Sequence, residues 1–166
     1  MKKRFGILGL GTLVGVLAGV SFATGTVTPI GGGLYSAPST CKGQQVNGVA
    51  LQGDGANDTI NGTGNIDLLR GGGGKDRISA LGSADCVAGQ SGKDTARGGG
   101  GADKVTGGGG KDKLNGGGGK DRVSGGGGND TVKGGPGKDR LRCGAGDDVA
   151  VADPKDKVSA SCETVK

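Results

Sequence analysis

The sequence predicts an all-β solenoid, and three observations carry that prediction. Eleven aspartates, Asp58, Asp67, Asp76, Asp85, Asp94, Asp103, Asp112, Asp121, Asp130, Asp139 and Asp148, stand nine residues apart without a slip. Glycines fill most of the gaps between them, and an aliphatic residue follows each aspartate at the second place. Read in nines from Gly53, the chain contains residues 71–79 (GGGGKDRIS), 98–106 (GGGGADKVT), 107–115 (GGGGKDKLN), 125–133 (GGGGNDTVK) and 134–142 (GGPGKDRLR). Each fits GGxGxDxUx, where U is a large aliphatic residue, and such a period marks a chain wound in short repeated turns and strands. Compositional bias supplies glycine and aspartate but does not hold their phase from residue 53 to residue 151.

Numbered within the nonapeptide, position 8 is Ile60, Leu69, Ile78, Val87, Val105, Leu114, Val123, Val132 and Leu141, with small Ala96 and Ala150 completing the series. In a strand this residue points inward while positions 7 and 9 point out. Glycine supplies the positive φ angles of a tight turn and lets carbonyls converge on an ion without Cβ interference. Aspartate at position 6 adds charged oxygen, the hard ligand that calcium takes in a flexible shell of six to eight oxygens. Aspartate is also a common turn former, but that role does not place it at the sixth position of every repeat. With 43 glycines and 2% aromatic residues the 166-residue chain cannot furnish an ordinary core, so folding and ion binding are expected to be one event.

These repeats resemble the calcium-binding nonapeptide repeat of the repeats-in-toxin (RTX, haemolysin-type) family over residues 53–151. The resemblance implies that the first six residues of each repeat form a calcium-binding turn and the last three a short strand. Two repeats then make one coil of a parallel β-roll. On that winding Asp58, Asp76, Asp94, Asp112, Asp130 and Asp148 share one edge, and Asp67, Asp85, Asp103, Asp121 and Asp139 share the other. Several calcium ions between successive turns would separate carboxylates otherwise stacked at about 4.8 Å. Repeats one, two and four depart from the pattern: Asp54 and Ala56, Thr63 and Asn65, and Ala80, Leu81 and Ser83 replace its glycines, and their sites are expected to be weaker.

The elements outside the repeats follow in order. Lys2, Lys3 and Arg4 precede an apolar stretch from Phe5 that ends Ser21-Phe22-Ala23, the pattern of a signal peptide over residues 1–23 cleaved after Ala23; the stretch is also marginally long enough for a retained membrane anchor. Cleavage removes three of the positive charges behind the formal net charge of +5, and the remaining balance gives no argument for nucleic acid. Residues 24–40, with Pro29, Pro38 and the glycines 31–33, read as a flexible linker. Residues 41–52 form an N-terminal cap and residues 152–166 a C-terminal cap. Phase is lost after Asp148, since Asp156 comes eight residues on and Lys157 takes the ligand position, so the roll is expected to end there.

Four cysteines in a small exported chain suggest two disulfides, and three connectivities are open. The residues around Cys41 and the tail around Cys162 look similar to the caps of small secreted actinobacterial calcium-binding proteins. That resemblance supports pairing Cys143 with Cys162, which flank the last repeat and tail, and Cys41 with Cys86. The second pair requires Cys41 to lie on an arm outside the regular winding.

Lys75, Lys93 and Lys111 at position 5 are expected to stack on one edge, and Lys104, Arg122 and Arg140 at position 7 on one strand face. They offset the aspartate columns, or they attract an anionic cell-wall or surface polymer. Phosphate-loop chemistry is excluded because Asp112 and Asp121 follow the Gly-Lys pairs where Ser or Thr is needed. The chain has no histidine, the usual general base. RTX repeats often trail a catalytic domain, but residues 41–52 are too few to hold one. The family's usual export signal is carboxy-terminal, so toxin-like activity does not carry over. The sequence therefore reads as a secreted calcium-binding repeat protein, not an enzyme, with an adhesion or interaction module as the alternative.

Overall fold

The computed structural model describes residues 48–166, together with the backbone of three short strands before them. The expected signal peptide, most of the linker and Cys41 lie outside the described residues. From Gly48 onward the chain winds as a parallel solenoid whose strands alternate between two sheets. One sheet contains, in order, β1 (Thr28–Pro29), β4 (Ala50–Gln52), β6 (Leu68–Gly74), β8 (Cys86–Gly92), β10 (Lys104–Gly109), β12 (Arg122–Gly127), β14 (Arg140–Ala145) and β16 (Lys157–Val158). The other contains β5 (Thr59–Asn61), β7 (Arg77–Ser79), β9 (Thr95–Gly101), β11 (Lys113–Gly119), β13 (Thr131–Lys133), β15 (Val149–Val151) and β17 (Thr164–Val165). All pairings within them are parallel except β1 on β4, and β2 (Tyr35–Ser36) pairs antiparallel with β3 (Gln45–Val46) in a separate ribbon.

The register shows two nonapeptides per coil. Val105 lies beside Val87 on one side and Val123 on the other, and Leu114 beside Ala96 and Val132. Each partner is 18 residues away, so position 8 always meets position 8. The consequence is one continuous apolar row between the sheets, in which Ile60, Leu69, Val105, Leu114, Val132 and Ala150 are essentially inaccessible. Positions 7 and 9 face out: in β12, Arg122 is exposed and Ser124 half-buried around buried Val123.

The turns need glycine where coils stack. Gly110 has φ of +128°, and a Cβ there would run into the Gly92 carbonyl of the preceding coil. Leu81, Ser83 and Gln90 occupy such glycine positions with φ of 77°, 77° and 81°, a region unfavourable for residues with a Cβ.

The winding does not stop at Asp148, which corrects the expectation drawn from the loss of phase. Val158 of β16 pairs with Leu141, and Val165 of β17 with Ala150. The tail is thus a final coil, shortened by one residue in its first turn and by two more in its second. Lys157 pairs with Arg140 as an outward strand residue rather than taking a ligand place. Cys143, fully buried, is joined to Cys162 with Cα atoms 5.0 Å apart, as expected, and ties this last coil down. Cys86 is also disulfide-bonded; its expected partner, Cys41, lies outside the described residues.

Candidate metal centre

The position-6 aspartates sit where each turn enters a strand, and the turn folds them inward rather than out to solvent. All eleven are at most 2% exposed. Stacking then brings each carboxylate against the coil before it. The backbone N–H of Asp58 donates to Asp76 Oδ1 at 2.8 Å, that of Asp76 to Asp94 at 2.9 Å, that of Asp94 to Asp112 at 2.8 Å, and so on to Asp148. The second column links Asp67, Asp85, Asp103, Asp121 and Asp139 in the same way. The two edges expected from the sequence are therefore two hydrogen-bonded ladders.

Each rung satisfies only half of its carboxylate. Oδ2 of Asp76, Asp85, Asp94, Asp103, Asp112, Asp121, Asp130, Asp139 and Asp148, and Oδ1 of Asp58, are buried without a hydrogen-bond partner. A buried charged oxygen left unpaired costs several kcal/mol. These oxygens do not stand alone. The place a Cβ would take on Gly116 lies 2.5 Å from Asp121 Oδ2 and 2.8 Å from the Gly134 carbonyl. The same pairing of carboxylate and next-coil carbonyl recurs at Gly89, where the Asp94 carboxylate meets the Gly107 carbonyl. Position 1 is glycine because that space is filled by oxygen.

Asp67 is the exception. Thr63, which replaces a pattern glycine, donates its hydroxyl to the Asp67 carboxylate at 3.0 Å, and Val49 N–H donates to Oδ1 at 2.6 Å. Protein groups thus satisfy the carboxylate in one of the repeats that depart from the pattern.

Burial raises the carboxylate pKa values, against the lowering effect of the N–H on each rung. Asp76, Asp112 and Asp121 are each pushed up to about 6, and Asp85 to about 8. Asp94, Asp103, Asp130 and Asp139 move in the same direction for the same reason. The neighbours that add to the rise are the flanking carboxylates themselves, Asp130 and Asp94 for Asp112. Among the described residues no three acidic, cysteine or histidine side chains converge on one point. Any ion here would take its remaining ligands from backbone carbonyls, all of them hard oxygens suited to calcium.

Two rungs escaped the sequence reading. Asp139 N–H donates to Asp156 Oδ1 at 2.8 Å, and Asp148 N–H to Glu163 Oε2 at 2.9 Å. The signal was present: Asp156-Lys157-Val158 and Glu163-Thr164-Val165 repeat the acid-x-aliphatic triplet out of phase.

The family model for the RTX calcium-binding nonapeptide repeat (4 copies) matches residues 52–85, 88–123 and 115–150. The chain belongs to this RTX repeat family. RTX nonapeptide repeats bind calcium, and the buried, half-satisfied ladders of this RTX roll fit that ion. No curated protein and no solved structure matches the chain.

Proposed function

We propose that this RTX chain is a secreted protein whose roll folds as calcium binds between stacked turns. The observation that carries the reading is the pair of buried aspartate columns with one orphaned oxygen on every carboxylate except that of Asp67. Asp58, Asp76, Asp94, Asp112, Asp130 and Asp148 would hold ions along one edge, and Asp85, Asp103, Asp121 and Asp139 along the other, each with turn carbonyls. Asp67 contributes least, because Thr63 and Val49 already satisfy it. When bound, calcium supplies the positive charge that the columns lack. The protein's own part is to hold each carboxylate by its rung hydrogen bond and to keep the position-1 space open.

Export rests on the basic and apolar amino terminus, and N-terminal sequencing of the exported protein tests cleavage after Ala23. No catalytic role is assigned to any residue. Circular dichroism of the oxidised chain during calcium titration tests the main reading. Strand signal should rise at roughly 10⁻⁴ to 10⁻³ M calcium, as in extracellular modules, and magnesium should substitute poorly because it demands a tighter octahedral shell. A chain already folded in chelator at neutral pH and indifferent to calcium would sink it.

A further inference from the structure

The outer face of the C-terminal coils carries two adjacent columns of positive charge. Along the strands, Lys104, Arg122, Arg140 and Lys157 lie side by side in register, about 4.8 Å apart at each step. Two residues earlier in their turns stand Lys120 and Lys138, placed over one another by the bridge between Gly119 and Gly137. All but half-buried Lys104 are exposed. Among the described residues none of the six forms an ion pair. Towards the other end of the roll the strand column changes character, continuing as Cys86 and Leu68. Along this sheet the outward cations of position 7 are therefore gathered in the C-terminal coils as an unbroken column of four, whereas in the other sheet Arg77 and Lys113 at that position are separated by Thr95.

Offsetting the aspartates is the plainer role for these cations. But Asp121 and Asp139 between the columns are buried and turned inward, and an ion bound there neutralises them from inside. The calcium-loaded roll then presents the outer columns uncompensated. We propose that this strip docks a linear anionic polysaccharide carrying a carboxylate on each sugar.

One cation per coil in a straight file suits a polymer with one charge per monomer of about pyranose length, and the guanidinium forks of Arg122 and Arg140 match carboxylates bidentately. Nucleic acid fits less well. Residues 48–166 contain no Phe, Tyr or Trp, the stacking platforms of single-strand binders. A duplex also sets its phosphates on a helical path that a straight file does not follow. The inference rests on the proposed calcium-driven folding in that calcium builds and unmasks the face.

The test is titration calorimetry of the oxidised chain, in saturating calcium, with oligogalacturonates too short to gel with the ion. Replacing Arg122, Lys138, Arg140 and Lys157 together by Gln should weaken binding about tenfold or more. Replacing Lys75, Lys93 and Lys111 by Gln on the opposite edge should change it less than about twofold. Circular dichroism in the same calcium checks that both variants fold. Equal loss in the two variants, or duplex DNA bound as tightly as the oligogalacturonate, overturns the proposal. A wild-type chain that folds with calcium yet binds no oligogalacturonate also overturns it, while leaving the calcium reading intact. A chain indifferent to calcium that still binds through the strip upholds the strip and removes the calcium reading.

Discussion

The backbone N–H of Asp94 donates to Asp112 Oδ1 at 2.8 Å across one full coil, while Asp112 Oδ2 is buried and has no hydrogen-bond partner. One oxygen builds the solenoid, and the other is the one that the proposed calcium would engage. Substitutions at Asp112 can separate the two roles. Asp112→Asn keeps an acceptor for the Asp94 N–H but removes the buried charge. The ion-free roll should gain on the order of 2 kcal/mol at neutral pH, in line with a carboxyl pushed up to about 6. Calcium should bind this variant more weakly. In chelator the variant should keep its strand signal to higher pH than the wild type while its calcium midpoint rises, and a variant that loses signal at lower pH yet binds calcium as tightly would contradict the division of roles.

Position along the column should matter as well. Asp112→Ala breaks a rung in the middle, with Asp94 and Asp130 on either side, whereas Asp58 opens its column in a repeat that departs from the pattern. In a solenoid stability is a sum of nearest-neighbour terms, so Asp112→Ala should raise the calcium midpoint and lower its cooperativity far more than Asp58→Ala. Equal midpoints for the two variants would mean that the aspartates act independently.

The pH dependence of the ion-free chain has a definite sign. Burial raises Asp76, Asp112 and Asp121 to about 6 and Asp85 to about 8, against an ordinary value of 3.8. A carboxyl whose folded pKa is raised stabilises the fold fully below its unfolded pKa and loses that contribution as pH rises through the folded value. In chelator, strand signal should therefore be strongest near pH 4 and fall between about pH 5 and 8. Calcium should restore it at the upper end, and protons should compete with calcium below pH 6. Acid unfolding of the ion-free chain over that range, followed by circular dichroism, would reverse the sign and count against unpaired buried carboxylates.

The period made most of this legible. Position 8 alone named the core row from Ile60 to Ala150, and position 6 named the eleven aspartates of the ladders, because a solenoid repeats its environment whenever it repeats its sequence. What the period could not show depends on contacts between coils. Asp156 and Glu163 are rungs because the last coil contracts by one residue before Asp156 and by two more before Glu163, whose side chain still reaches the Asp148 N–H, so a strict count of nine passes over them. Thr63 reads as a lost glycine in sequence, and only the inward fold of Asp67 turns its hydroxyl into a partner. Which oxygen of each aspartate stays unpaired is likewise set by the neighbouring coil.

Leu81 tests the cost of departing from glycine. Its φ of 77° is unfavourable for a residue with a Cβ, and its side chain is 57% exposed, with little packing to lose. Leu81→Gly should stabilise the calcium-loaded roll by up to about 1 kcal/mol, the left-handed penalty less the added entropy of glycine. The reverse change, Gly110→Ala, drives a Cβ into the Gly92 carbonyl at φ of +128° and should cost about 1–3 kcal/mol. Calorimetric unfolding in calcium measures both, and a Leu81→Gly variant that loses stability would show that the leucine makes a contact its exposure hides.

The disulfide between Cys143 and Cys162 should act locally. It joins β14 to the last coil, where Asp156 and Glu163 supply the closing rungs to Asp139 and Asp148. Replacing both cysteines by Ser frees a loop with a sequence separation of 19, a constraint of about 3 kcal/mol in the chain-entropy view. Nearest-neighbour stability confines most of that loss to the end of the stack. Amide exchange in calcium should therefore quicken at Val158 and Val165 and at the N–H groups of Asp139 and Asp148, while the rung from Asp94 to Asp112 keeps its protection. Uniform loss of protection along the whole column would instead make the roll one cooperative unit, with the C-terminal coil as its anchor.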